Sequence, residues 1–232
     1  MKAVILAAGK GIRMKPLTEK KPKPLIEING KSFLERQLTE LNKAGIKEVV
    51  IVVGYLKEKI IEEFGGKSEG IDLKYVFQEE QKGTAHGLLC AKKLIKEDFI
   101  QVNADLIFES ELIEELKDKQ RNVLVLRKVD SAKGFGLVEV KGKKVIGLIE
   151  KPSEEQEKKL GEKLVNCGIY KFTPEIFDAI EKISLSERNE LELTDAIKLL
   201  IEKNKVEWIS VKGKFFDIGT IKELKEAEKN FS

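Results

Sequence analysis

The sequence predicts an α/β fold, a doubly wound, mainly parallel (Rossmann-like) sheet with a mixed or antiparallel extension. Continuous runs of Val, Ile and Leu alternate with amphipathic helical segments through the first half, which is typical of parallel strands covered by helices on both faces. From about Arg121 strand-like runs follow one another, and a hairpin turn joins two of them. Because 232 residues fit one core, we predict a single domain, residues 1–232, with halves of about 1–120 and 121–232.

The first half of the chain is predicted to alternate strictly between strand and helix. Its strands are buried apolar runs, and its helices repeat apolar residues at helical spacing. In chain order the elements are strand "KAVILA", helix "SFLERQLTELNKAG", strand "EVVIVVG", helix "YLKEKIIEEFG", strand "LKYVFQ", helix "TAHGLLCAKKLIK" and strand "DFIQVN".

The second half is predicted to be richer in strands. Its strands are "NVLVLRKV", the hairpin in "GFGLVEVKGKKVIGLIEKP", "KLVNCGIYKF", "VEWISV" and a short "KFFDIG". Its helices are "PEIFDAIEKI", with Pro174 in the first turn, "ELTDAIKLLIEKN" and the terminal "TIKELKEAEKNF". The charged stretch "PSEEQEKKLGEK" is predicted to be a solvated helix or loop.

Composition excludes several classes of protein. The 43 basic and 40 acidic residues leave a net charge of +3, so no nucleic-acid or membrane-surface partner is expected. No run approaches the roughly 20 apolar residues of a membrane span, and the two cysteines match neither a disulfide framework nor a metal cluster. We therefore expect a cytoplasmic protein. The abundance of Lys and Glu leans towards a thermophilic source.

The stretch "LAAGKGIRMKPLTEKKPKPL" follows the first strand directly, where α/β proteins place phosphates. It is not a dinucleotide fingerprint, because Met14 stands where the third glycine belongs, and the G-x-x-x-x-G-K-[ST] loop is absent. Gly9 and Gly11 allow backbone N–H groups to approach phosphate oxygens, while Arg13 and Lys23 supply cationic donors.

This stretch closely resembles the N-terminal signature of the nucleotidylyltransferases that act on sugar 1-phosphates. The resemblance continues along the whole chain and implies the nucleotide-diphospho-sugar transferase type of fold. It implies that the loop binds a nucleoside triphosphate, with Arg13 and Lys23 catalytic. The residues assigned to the nucleotide here are Ala7, Ala8, Gly9, Gly11 and Arg13.

The segment "FQEEQKGTAHGL" resembles the part of the family that holds the nucleobase. The resemblance assigns Gln78, Gly83 and Thr84 to nucleotide binding. A glutamine amide has one acceptor and two donors, so it can pair with the N3–H and O4 edge of uracil or thymine. His86, the only histidine, is expected to be a packing or hydrogen-bonding residue rather than a catalytic one, because a sugar 1-phosphate is already ionised at neutral pH and needs no general base.

Two aspartates match the family's Mg²⁺ ligands. Asp105 follows the strand in "DFIQVNADLIF", where Ala104 replaces the family's usual glycine, and Asp217 lies in "KFFDIGTIKEL". One or two carboxylates with phosphate oxygens and waters are a typical magnesium shell. The resemblance therefore implies Mg²⁺ as the cofactor, with Asp105 also catalytic.

Three further segments, "GFGLVEV", "IEKP" and "NCGIYKF", resemble the family's sugar phosphate pocket. The resemblance makes Lys151 and Lys23 ligands of the acceptor phosphate and Glu150 a ligand of a sugar hydroxyl. The residues assigned to the acceptor are Lys23, Gly136, Glu150, Lys151, Asn166 and Gly168.

The resemblance implies transfer of a nucleotidyl group from an NTP, with UTP or dTTP favoured, to a sugar 1-phosphate, releasing pyrophosphate. Two alternatives stay open: a cytidylyltransferase for phosphocholine or a polyol phosphate, and a catalytically silent regulatory nucleotide-binding homologue. The sequence leaves the nucleobase, the acceptor and the oligomeric state, including a homo-oligomer, undecided.

Overall fold

The computed structural model describes residues 1–159 and 161–230. Its centre is a ten-stranded twisted sheet in the order β10-β11-β13-β9-β12-β7-β1-β4-β6-β5. The strands are β1 (Lys2–Ala7), β2 (Glu27–Ile28), β3 (Lys31–Ser32), β4 (Glu48–Val53), β5 (Lys67–Ser68), β6 (Ile71–Phe77), β7 (Phe99–Asn103), β8 (Leu106–Ile107), β9 (Asn122–Lys128), β10 (Gly136–Lys141), β11 (Lys144–Glu150), β12 (Leu164–Phe172), β13 (Val206–Ser210) and β14 (Phe216–Asp217).

The first half of the chain forms the parallel part of the sheet. Strands β7, β1, β4 and β6 lie side by side and parallel. Helices run between successive strands of this set, from β1 to β4, β4 to β6 and β6 to β7, as parallel pairing requires. The helices of this half are α1 (Phe33–Lys43), α2 (Lys57–Phe64), α3 (Thr84–Cys90) and α4 (Ser110–Lys117). The predicted doubly wound arrangement is confirmed here.

The second half extends the same sheet with mixed pairing. Strand β12 is antiparallel to both β7 and β9, β10 and β11 form the predicted hairpin, and β13 is parallel to β9. The helices are α5 (Glu154–Lys159), α6 (Glu175–Ile180), α7 (Leu193–Glu202) and α8 (Ile221–Asn230). The predicted mixed extension is therefore also confirmed.

Apolar side chains fill the space on both faces of the sheet. On one face Leu38 and Leu41 of α1 are fully buried in the same cluster as Ile51. On the other, Phe177 of α6 stacks on Phe99 with ring centroids 5.6 Å apart. Because both faces of the central strands are covered, their continuous apolar sequences have a direct physical explanation.

Some elements differ from the sequence prediction. The helix predicted over "TAHGLLCAKKLIK" is only α3, followed by a 3₁₀ turn, Lys92–Leu94. The stretch "PSEEQEKKLGEK" contains α5, mostly exposed as predicted, but the Glu157 carboxylate is buried and accepts a hydrogen bond from the Ala132 N–H. Leu160 of that stretch and Phe231 of the predicted last helix lie outside the described residues.

Within residues 1–159 and 161–230, no helix combines the length and the apolar composition that crossing a membrane requires. The thiols of Cys90 and Cys167 are both free.

An ion pair between β12 and the residue before the neighbouring strand β7 supports a stability prediction. The Lys171 ammonium of β12 is 1% exposed and lies 2.6 Å from the Asp98 carboxylate, which is 39% exposed. Asp98→Asn removes the countercharge of a buried cation, so we expect a loss of about 2 kcal/mol in the free energy of unfolding, below the range for fully buried pairs because Asp98 is partly solvated. Urea unfolding measures it.

The matched control is Glu175→Gln, which breaks the pair of Glu175 with Lys205 at the same 2.6 Å but with both side chains more than 40% exposed. We expect this control to change the free energy of unfolding by less than about 1 kcal/mol. Equal losses in the two variants would show that burial of Lys171 does not matter.

Candidate active site

A cavity of about 370 Å³ opens at the carboxyl ends of β1, β6 and β7, the edge where open α/β sheets place their ligands. The sequence-predicted residues that line it are Ala7, Ala8, Gly9, Gly11, Arg13, Lys23, Gln78, Gly83, Thr84 and Asp105. Every residue assigned to the nucleotide therefore lies around one space. Their roles there stay predictions.

The loop after β1 is shaped by one glycine. Gly11 has a φ of 60°, and a Cβ there would lie 2.9 Å from Cγ2 of Thr18, whose hydroxyl donates to the Gly11 carbonyl at 2.9 Å. The chain continues into a 3₁₀ turn, Ile12–Met14, rather than an α-helix. Without an α-helix macrodipole at this point, positive charge for a phosphate comes from side chains.

Two neighbouring segments hold the start of this loop. The Ala8 carbonyl accepts hydrogen bonds from the Tyr55 N–H at 3.1 Å and from Nε2 of Gln81 at 2.8 Å. On the other side, the Arg13 guanidinium lies against Gly219, where a Cβ would be 2.8 Å from Nη2. Gly219 follows Asp217 by two residues, so Arg13 reaches the segment that carries one of the predicted metal ligands.

The base-binding prediction rests on Gln78, which is 6% exposed at the end of β6. Its Nε2 donates to the Gly83 carbonyl at 3.0 Å and lies 3.1 Å from Nδ1 of His86. The prediction that His86 packs or takes part in hydrogen bonding agrees with this contact. The amide is thus held in one place before any ligand binds.

The loop before α3 is joined to the segment before α7. The Leu191 N–H donates to the Lys82 carbonyl at 2.7 Å, and the Ala85 N–H donates to the Leu191 carbonyl at 3.0 Å. The Thr84 hydroxyl accepts from the Leu193 N–H at 3.1 Å, at the start of α7. Thr84 therefore lines the cavity, while its hydroxyl oxygen accepts a hydrogen bond at the start of a helix from the second half of the chain.

Gly83 is where these two segments approach most closely. Its φ is 95°, and a Cβ would lie 2.5 Å from the Leu191 carbonyl oxygen and 2.9 Å from the Leu191 nitrogen. We expect Gly83→Ala to lower the free energy of unfolding by about 2–3 kcal/mol, because backbone has to move and φ is unfavourable for alanine. Thermal and urea unfolding measure the loss.

Gly66→Ala is the control for this substitution, since nothing lies within 4 Å of a Cβ there and its φ is not in the left-handed region. It is expected to change stability by less than about 0.5 kcal/mol. A Gly83→Ala protein as stable as this control would contradict the close approach.

The two predicted metal ligands meet through a small separate sheet. Strands β8 and β14 pair antiparallel, and the Ile218 N–H donates to the Asp105 carbonyl at 3.0 Å. Residues 112 positions apart in the sequence are thus fixed beside each other by backbone hydrogen bonds. Sequence distance explains why only the resemblance, and no local pattern, could pair them.

The electrostatics of this pair fit a divalent cation. Burial, and then the charge of Asp105, raise the pKa of Asp217 to about 6. Nζ of Lys23 lies 2.6 Å from Oδ2 of Asp105. Two carboxylates that repel each other and a lysine drawn against one of them mark an excess of negative charge that a hard cation would relieve.

No group of three or more His, Cys, Asp or Glu side chains within residues 1–159 and 161–230 could hold a metal alone. Mg²⁺ commonly binds through one or two carboxylates and substrate phosphates, so Asp105 and Asp217 fit the ion as a partial shell.

Gln37 of α1 supports Asp105 from behind. It is 1% exposed, and its Nε2 donates to the carbonyls of Asn103 at 2.9 Å and Leu106 at 2.7 Å, on either side of Asp105. A buried amide that bridges two carbonyls fixes the backbone between them. Sequence reasoning missed this residue, which reads as one more polar position on an amphipathic helix.

Of the predicted acceptor residues, Lys23 lines the cavity, and Gly136, Glu150, Asn166 and Gly168 form a second cluster beside it. A Cβ on Gly136 would lie 3.3 Å from Oε2 of Glu150, and 3.6 Å from Cβ of Asn166. Gly168 has a φ of 74°, and its Cα faces Asn103 so closely that a Cβ would be 2.5 Å from Nδ2. Since Asn103 lines the cavity, this cluster and the cavity are neighbours.

Burial raises the pKa of the Glu150 carboxyl. Asn166 donates from Nδ2 to the buried Tyr170 hydroxyl at 2.6 Å, across an irregular stretch of β12 where its register with β9 shifts. Lys151 is exposed and has a φ of 48°. The arrangement offers a half-buried carboxylate and an amide beside an exposed cation, which suits a polar, anionic ligand.

Several cavity residues were not predicted from the sequence. They are Leu6, Ile12, Pro24, Gln81, Gly87, Asn103, Ala104, Glu190 and Gly219. Gln81 and Asn103 lie in the quoted motifs beside Gln78 and Asp105. This proximity in the sequence could have identified both as cavity residues. Glu190 lies far along the chain and enters only because residues 82–85 and 191–193 are hydrogen-bonded.

Fold and site together define an α/β protein that can hold a polyanionic ligand between a glycine-rich loop, two cationic side chains and a carboxylate pair. The model of the nucleotidyl transferase family matches residues 2–232. The chain belongs to that family, which confirms the resemblance drawn from its motifs.

Individual relatives agree with this assignment. The chain is 44% identical over 221 residues to the bifunctional protein GlmU of Methanococcus vannielii. The aligned residues make up 94% of this chain and 52% of that protein. It thus spans about half the length of this relative. It is 38% identical to UTP–glucose-1-phosphate uridylyltransferase AglF of Haloferax volcanii, over 98% of this chain and 95% of that one.

Solved structures confirm the fold. A UDP-glucose pyrophosphorylase crystallised with UDP-glucose superposes with a TM-score of 0.89 at 23% identity, covering 99% of this chain and 97% of its own. A putative glucose-1-phosphate thymidylyltransferase from Bacillus anthracis gives a TM-score of 0.87 at 25% identity, over 99% and 94%.

Proposed function

We propose that the protein transfers a nucleotidyl group from UTP or dTTP to a hexose 1-phosphate and releases pyrophosphate. The observation that carries the proposal is that Gln78, Arg13 and Asp105 line one cavity, with Asp217 held next to Asp105 and the Glu150 cluster beside the cavity. These groups support the proposal because an amide suits a nucleobase, a guanidinium suits a triphosphate and a carboxylate suits a sugar hydroxyl.

The reaction requires two anions to meet, so positioning and charge neutralisation dominate over proton transfer. An oxygen of the sugar phosphate attacks the α-phosphorus in line, the new P–O bond forms, and the bond to pyrophosphate breaks. The attacking oxygen is already ionised at neutral pH. No side chain has to remove a proton from it.

Arg13 stabilises the triphosphate and the leaving pyrophosphate, because its planar guanidinium can donate two hydrogen bonds to a phosphate. Lys23, whose Nζ lies 2.6 Å from Oδ2 of Asp105, binds the reacting phosphates. Lys151 binds the acceptor phosphate, and Glu150 accepts a hydrogen bond from a sugar hydroxyl.

Mg²⁺ on Asp105 and Asp217 would supply the largest positive charge at the reacting phosphates. The protein's own contribution is the geometry of its two carboxylates, held by the Ile218 backbone and by Gln37.

The similarity to AglF favours UTP and glucose 1-phosphate among the possible substrates. The test is a pyrophosphate-release screen of the purified protein with UTP, dTTP, CTP, ATP and GTP against glucose 1-phosphate, an N-acetylated amino sugar 1-phosphate and phosphocholine, with and without Mg²⁺. Release with UTP or dTTP and a hexose 1-phosphate, dependent on Mg²⁺, supports the proposal. Release only with CTP and phosphocholine, or none at all, refutes it.

A further inference from the structure

The Gln78 amide has a defined orientation in the ligand-free protein. The Gly83 carbonyl 3.0 Å away can only accept a hydrogen bond, so the amide nitrogen, not the oxygen, faces it. The same nitrogen lies 3.1 Å from Nδ1 of the half-buried His86. An amide nitrogen has no lone pair to offer, so Nδ1 has to be the acceptor, and the imidazole proton is on Nε2.

With both amide hydrogens used inside the protein, only Oε1 of Gln78 remains for a ligand. Gln78 lines the cavity, and no donor to Oε1 is present within residues 1–159 and 161–230. Gly87 leaves the space beside that oxygen open, since a Cβ there would be 3.1 Å from it. At this place in the cavity Gln78 therefore presents a hydrogen-bond acceptor, its Oε1, to a ligand.

We propose that His86 is a positioning residue that sets the nucleobase preference by holding Gln78 with its oxygen towards the base. An acceptor at this place pairs with the ring N3–H of uracil or thymine and repels cytosine, whose N3 carries a lone pair. Without His86 one amide hydrogen lacks a partner, and the amide loses part of its preference for this orientation. The inference rests on the proposed function only in that the cavity takes a pyrimidine nucleotide.

The first test determines the tautomer of His86 directly and does not depend on enzymatic activity. Because the chain has a single histidine, ¹⁵N-histidine labelling gives one pair of ring nitrogen resonances. At pH 8, where an ordinary imidazole is neutral, the expected tautomer carries the proton on Nε2, with Nδ1 showing the shift of a hydrogen-bond acceptor. A dominant Nδ1–H tautomer overturns the proposal.

The second test measures binding of UTP and CTP by calorimetry in the absence of acceptor. His86→Leu removes the acceptor atom at similar size, and the preference for UTP over CTP is expected to fall about fivefold to tenfold, the value of one hydrogen bond. His86→Asn, whose Oδ1 can accept in place of Nδ1, is expected to restore most of the preference.

Cys90→Ser is the control on the same helix, because its Sγ donates to the His86 carbonyl and not to the ring. A His86→Leu protein with the wild-type preference overturns the proposal, as does a wild-type protein that binds UTP and CTP equally. A protein that binds UTP selectively yet releases no pyrophosphate refutes the proposed function alone, and the His86 comparison is still decided by binding.

Discussion

Asp105→Asn and Asp217→Asn should each lower the rate of pyrophosphate release on the order of a thousandfold. Each substitution keeps the shape of the side chain and removes a charge that, in the proposed mechanism, would hold Mg²⁺ against the phosphates. The measurement is steady-state turnover with saturating UTP, glucose 1-phosphate and Mg²⁺. Asp178→Asn, an exposed aspartate on α6, is the control and should retain full activity.

The same substitution at Asp217 should stabilise the metal-free protein. Burial and the neighbouring Asp105 raise the pKa of Asp217 to about 6 from an ordinary value of 3.8. The folded state therefore holds this proton up to a higher pH than the unfolded state, and stability falls as pH rises through the window from about 4 to 6.

Asn cannot ionise, so the stability of Asp217→Asn relative to wild type should rise by about 2 kcal/mol between pH 4 and pH 7 in the presence of a chelator. Urea unfolding at both pH values measures the change. Loss of activity with this gain of stability excludes misfolding as the cause. An active Asp217→Asn enzyme would contradict the metal assignment, and a pH-independent stability difference would contradict the charge repulsion.

Arg13→Ala should lower kcat about a hundredfold or more with a smaller change in KM for UTP. The guanidinium lies against Gly219, beside the carboxylate pair, where charge develops on the leaving pyrophosphate, so its effect belongs to the transition state. Arg13→Lys should recover part of the rate, because an ammonium keeps the charge but not the planar pair of donors.

Lys10→Ala is the matched control, an exposed cation three residues away in the same loop, and should change kcat by less than about twofold. If Arg13→Ala raised KM alone, the residue would contribute only to ground-state binding. Equal effects of the Lys10 and Arg13 substitutions on kcat would show that the loop contributes only a general positive potential.

Most of the regular fold was predictable because the pattern is local. The buried strands β1, β4, β7 and β9 follow from continuous apolar runs, and α1 begins where the Ser32 hydroxyl accepts from the Glu35 N–H. The two-residue strands were not predictable as pairs, since β8 and β14 carry no periodicity and exist through their partner. Placement of β13 between β11 and β9 is likewise a long-range choice.

The candidate site divides in the same way. The glycine-rich loop, Gln78 and Asp105 follow strands directly, so a sequence motif locates them at the ligand-binding edge. Gln37 escaped notice because its two hydrogen bonds join residues 66 and 69 positions away.

By itself the sequence determined the α/β class, the loop after β1 and the chemical groups available for a nucleotide, because alternation of burial and short motifs are written in neighbouring residues. Only the tertiary structure decided which groups face one another. Asp217 beside Asp105, Thr84 at the start of α7 and Nδ1 of His86 on the Gln78 amide are contacts between the ends of separate elements. Each depends on packing and on buried hydrogen bonds that must all be satisfied at once, which no local pattern specifies.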